Sequence, residues 1–174
     1  MTTLREGTIE YHFPASWTVS KYDGWPFYRR HFEMAFGGCK ATDTAALDPK
    51  GTLWLVETKD YRAHPRTKPM DICDEVSLKV RDTLAGIFAA AKWHSDHPHL
   101  AEAVMHLTAK RIRVVLHVEQ PARQSKLFSR ALDLAHLQQQ IKQRVRAVDP
   151  HPVVVDFASF GRLPWSANPV SEMT

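Results

Sequence analysis

The stretch from Cys39 to Tyr61 constrains the fold most, because its turn chemistry fixes a strand register. Asp48-Pro49-Lys50-Gly51 precedes the apolar run Leu53-Trp54-Leu55-Val56. Pro49 presets φ at the first central position of a type I turn and Gly51 supplies the left-handed residue after it, which together make a three-residue hairpin loop. With Asp48 opposite Thr52, the pairing sets Leu47 against Leu53, Ala45 against Leu55 and Asp43 against Glu57. Side chains alternate along a strand, so Lys59 falls on the face of Glu57. That face is apolar at its closed end and carries two carboxylates and an ammonium at its open end.

Two facing carboxylates repel, and burying them is costly unless a positive charge stands between them. A divalent cation fits that need, and Asp and Glu oxygens suit Mg²⁺ or Mn²⁺. Lys59 is then placed to orient or deprotonate a water, or to offset charge on a phosphate under attack. The competing reading is that Glu57, Lys59 and Asp60 mark only where a buried strand emerges into water. Asp48 is explained as a turn residue.

Asp43 followed by Glu57-Thr58-Lys59 at the end of an apolar strand resembles the PD-(D/E)xK superfamily of nucleases and restriction endonuclease-like proteins. Thr42, not proline, precedes Asp43. The resemblance implies that Asp43 and Glu57 ligate Mg²⁺ or Mn²⁺, that the Thr58 carbonyl adds a ligand, and that Lys59 handles the water. It also implies a Lys or Gln on the next helix beside the metal, which makes Lys79 the fourth catalytic candidate. Glu75, one turn earlier, reads as an i to i+4 partner of Lys79. Glu33 reads as a solvated helix charge despite the extra acid that the superfamily often carries on its first helix.

A chain of 174 residues fits one domain, with a core spanning about 39–157 and a C-terminal tail of 158–174. It has no apolar run of membrane-spanning length and its start lacks a signal-peptide core, so a cytoplasmic protein without membrane association is expected. Cys39 and Cys73 form no ligand pattern and are expected reduced. The formal charge of +4 permits a polyanionic partner. After the hairpin, a loop carries Arg62, His64, Arg66 and Lys68, placed to grip phosphates without reading sequence.

Thr8–Phe13 alternates like an edge strand beside the hairpin. Asp23 is expected to cap a short helix through Trp25–Phe36, closed by Gly37-Gly38. Asp71 opens a helix to about Lys92 with Ile72, Val76, Val80, Leu84, Ile87, Phe88 and Ala91 on one apolar face. A second short helix spans Leu100–Ala109, and Arg111–Val118 reads as a mid-sheet strand. A basic connection runs from Gln120 to Lys126, a helix spans Ala131–Val148, a last strand covers Val153–Phe157, and the tail is a loop packed on the body. His94, His97 and His99 cluster around Pro98 but complete no zinc pattern. His117-Val118-Glu119 starts like a deaminase signature, yet no Pro-Cys-x-x-Cys follows.

The element order gives an α/β fold, a restriction endonuclease-like mixed sheet flanked by helices. The expected function is metal-dependent phosphodiester hydrolysis, with nucleic acid, DNA in the first instance, as partner, and a homodimer or partner subunit allowed. Two alternatives stay open: a catalytically silent nucleic-acid-binding or assembly subunit of the same fold, and a protein in which Asp43, Glu57 and Lys59 form only an ion-paired network.

Overall fold

The computed structural model describes residues 1–64, 66–93, 97–121 and 132–170. Two antiparallel strands, β1 (Thr2–Glu6) and β2 (Ile9–Phe13), open the chain, and β3 (Thr18–Lys21), β4 (Thr44–Leu47) and β5 (Thr52–Asp60) follow. Helices α1 (Ile72–Ala91) and α2 (Leu100–His106) lead to β6 (Arg111–Glu119), and α3 (Leu134–Val145) leads to β7 (Val153–Val155). The chain closes with β8 (Ser166–Pro169).

A five-stranded mixed sheet runs β3-β4-β5-β6-β7, and a three-stranded sheet runs β1-β2-β8. β3, β4 and β5 pair antiparallel, while β5, β6 and β7 pair parallel through crossovers that carry the helices. Leu47 faces Leu53 and Ala45 faces Leu55, the register that the turn chemistry dictates. Gly51 has φ +80 and donates its N–H to the Asp48 carbonyl at 3.0 Å, as the loop type requires.

The large sheet buries both faces. Leu53, Leu55, Val114 and Leu116 pack under α1 and α3, with Tyr22, Trp25 and Phe32 filling the same layer. Trp54, Val56 and Val115 pack against Ile9, Tyr11, Phe13 and Trp165 of the smaller sheet. The fold is therefore a mixed α/β sheet with helices on one face and a small antiparallel sheet on the other. Among the described residues, no helix is long and apolar enough to cross a membrane.

Several expectations are corrected. Thr8–Phe13 does not lie beside the hairpin: β3 takes that edge, and β2 crosses the sheet face, where Ile9, Tyr11 and Phe13 are all fully buried. The expected helix through Trp25–Phe36 is broken into a π-type turn at Tyr28–Phe32 and a 3₁₀ turn at Ala35–Gly37, with Phe36 at φ +53. The tail packs on the body as expected, with Trp165 buried and stacked on Phe13 at 5.2 Å, but Ser166–Pro169 is a strand in register with β2 and not a loop. Phe88 stands exposed, outside the apolar face of α1. His94, residues 122–131 with most of the basic connection, and the tail end at 171–174 lie outside the described residues.

Candidate functional site

Leu53, Leu55, Glu57 and Lys59 share the helix-facing side of β5, so the apolar row turns ionic at the open end of the hairpin. Thr58 points to the other layer, where its Oγ1 lies 2.9 Å from Tyr11 Oη. Asp43 stands one residue ahead of β4, and its Oδ2 accepts the Thr58 backbone N–H at 2.7 Å. A side chain thus closes the last rung of the hairpin and holds Asp43 beside Glu57.

Helix α1 forms the opposite wall. Asp71 caps it by accepting from the Cys73 and Asp74 N–H groups, which sets Glu75 and Lys79 one turn apart on the face toward β5. Lys79 Nζ donates to Glu57 Oε1 at 2.6 Å and to Asp43 Oδ1 at 3.4 Å. Lys59 Nζ reaches the same Glu57 oxygen at 2.6 Å and Glu75 Oε1 at 3.1 Å. Glu75 also accepts from Lys68 Nζ and from Arg66 Nη2, each at 2.8 Å. Three carboxylates and four cations form one network with a surplus of positive charge.

Burial and the Asp43 carboxylate push the pKa of Glu57 up to about 7, against the pull of Lys79 and Lys59. Glu57 therefore titrates near neutrality. Burial also works against ionised Glu75, but hydrogen bonds from Lys68 and Arg66 and the charge of Lys59 hold its carboxyl well below the usual range. Burial would lower Lys59, yet Glu57 and Glu75 raise it above an ordinary lysine; Lys79 is raised against burial by Glu57 and Asp43. Both stay ammonium ions and are poor acceptors for a proton from water.

Glu57 Oε2 is buried without a hydrogen-bond partner, and with Asp43 it offers oxygens that suit Mg²⁺ or Mn²⁺. Among the described residues, no group of three or more His, Cys, Asp or Glu side chains forms a metal-ligand set. An ion here would rest on two carboxylates and complete its shell with water or a ligand's phosphate. Lys79 already bridges the two, serving as the positive charge that the pair needs.

The structure thus brings Asp43, Glu57, Lys59 and Lys79 together, and Arg66 and Lys68 join them through Glu75. Arg62 does not join: it pairs with Asp60 at 2.6 Å, donates to Thr8 Oγ1 at 2.8 Å and lies over the Phe157 ring at 5.3 Å. It fastens the end of β5 to the smaller sheet. His64 is exposed on the loop, and the Lys68 side chain is 61% exposed. Glu75 is the central residue that the sequence misassigned. Its spacing from Lys79 was the available signal, but it takes Lys59, Lys68 and Arg66 instead.

A cysteine–tRNA ligase of Neisseria meningitidis is similar to this chain, 28% identical over a 170-residue alignment that covers 79% of the chain and 24% of the ligase. The chain spans about a quarter of the length of that relative. No family model and no solved structure matches the chain. The likeness overturns the expected Mg²⁺- or Mn²⁺-dependent endonuclease or exonuclease, because the similar protein is a ligase and not a hydrolase of phosphodiesters. The silent nuclease-derived subunit gains no support from it either.

Proposed function

We propose that this chain is an RNA-binding module related to tRNA aminoacylation, and that tRNA phosphates meet it at the open end of β5. The likeness to a cysteine–tRNA ligase carries the reading, since such a protein must hold tRNA. The ion network supports the location. Lys68 is exposed and would meet a phosphate first, while Glu75 holds Arg66, Lys59 and Lys68 in fixed positions around one point. Mg²⁺ bound at Asp43 and Glu57 would supply further positive charge beside those cations. We propose the restriction endonuclease-like arrangement for the core of about 39–157, supported by an antiparallel hairpin followed by parallel helical crossovers. Such a fold assigns no chemistry by itself.

Fluorescence anisotropy with a labelled cysteine tRNA transcript and a duplex DNA of equal length, with and without Mg²⁺, tests the reading. The expected result is saturable tRNA binding that exceeds DNA binding and weakens in Lys68→Gln. Absence of saturable tRNA binding overturns it.

A further inference from the structure

A cleft of about 370 Å³ opens at the other end of β5, between the hairpin turn and the smaller sheet. The indoles of Trp17 and Trp54 line it, three proline rings from separate segments close its sides, and Lys50 and Arg111 stand among its walls. The two indoles stack at 6.2 Å with planes 20° apart. Trp54 is pinned, since its Nε1 donates to Asp48 Oδ2 at 3.1 Å and the Arg113 guanidinium lies over its ring at 5.5 Å. Asp48, the acid in this wall, is fully engaged: its other oxygen accepts the Lys50 and Thr52 backbone N–H groups at 2.8 and 2.9 Å.

The cleft therefore combines a rigid aromatic wall with cationic groups, and its acid, Asp48, stays ionised with both oxygens committed to the Lys50 and Thr52 N–H groups and the Trp54 indole. Arg111 uses Nε on Thr52 Oγ1 at 3.0 Å, whereas Arg113 is taken by Asp149 at 3.3 Å. Lys50 and Arg111 are both exposed.

We infer that this cleft binds an unstacked nucleotide, its base against the half-buried Trp17 indole, which the buried Trp54 backs, and its phosphate on Lys50 and Arg111. Aromatic stacking accepts any base, and a paired Lys and Arg fit a phosphate. The size lies within the range of about 300–1,000 Å³ usual for small-ligand sites. A proline-rich peptide would use the aromatic and proline walls but leave both cations idle. The cleft and the ion network lie on opposite faces of β5, and Thr52 and Glu57 are ~17 Å apart along the strand. Binding of a free nucleotide here would stand even if tRNA failed to engage the open end.

The test is an NMR titration of the full chain with the four nucleoside 5′-monophosphates and with adenosine, following the indole N–H signals. The expected result is a saturable shift of the Trp17 and Trp54 signals. Lys50→Gln and Arg111→Gln, both at exposed positions, should each weaken AMP at least fivefold, leave adenosine unchanged and keep the melting temperature of the parent. Lys68→Gln should leave AMP binding intact. The inference is overturned if no monophosphate shifts these signals saturably, if adenosine binds as tightly as AMP, or if a proline-rich peptide shifts them and nucleotides do not.

Discussion

Glu57 is almost fully buried, at 1% exposure, yet two ammonium groups share one of its oxygens and the other has no partner. Its pKa of about 7 lies above the ordinary 4.5, so the folded state holds the proton more tightly than the unfolded one. The stability gained from protonation is complete below about 4.5 and is lost as pH rises through about 7. Urea unfolding of Glu57→Gln and the parent at pH 5 and pH 8 should therefore diverge, the variant gaining roughly 2 kcal/mol on the parent across that range. A constant difference would contradict the shift. Glu75 behaves in the opposite sense: its depressed pKa stabilises the fold above the usual carboxylate range and that support is lost as pH falls. Glu75→Gln leaves three cations facing one another and should cost about 3 kcal/mol near neutral pH. Little loss in a urea titration at pH 7 would show that water already screens the cluster.

At the scale of elements, the site is a hairpin end facing one turn of α1. The hairpin was legible because Pro49 and Gly51 encode the turn locally and a period of two fixes everything behind it. α1 was legible from its Asp71 cap and apolar spacing. Glu75 was not, because two of its partners, Arg66 and Lys68, arrive on a loop whose return path no local pattern states. The partner of β2 was equally hidden: alternation says that Ile9, Tyr11 and Phe13 are buried but not against which surface. The helical crossing is tight at Gly86, where a Cβ would meet Tyr22 Oη at 2.0 Å and the Phe32 ring at 3.2 Å. Gly86→Ala should destabilise by about 2–3 kcal/mol, read as a lower melting temperature. An unchanged melting temperature would mean that the 22–32 segment yields without loss.

Across the whole molecule, the large sheet separates two surfaces: an ion network under α1 at one end of β5, and an aromatic, cationic cleft over the turn at the other. The hairpin register brought Asp43, Glu57 and Lys59 together and the superfamily resemblance added Lys79, but neither settled their use. The same carboxylate and lysine spacing serves hydrolysis or a charged binding surface, and the proposal of the latter rests on similarity to a tRNA ligase. The salt dependence of tRNA binding tests that account most directly. The log of the binding constant should fall linearly with log salt, and Lys68→Gln combined with Arg66→Gln should lower the slope by about 1–2. Arg62→Gln, which breaks only the Asp60, Thr8 and Phe157 contacts, should leave the slope as it is. A double variant with the parent's slope, or a parent without tRNA binding, would contradict the account.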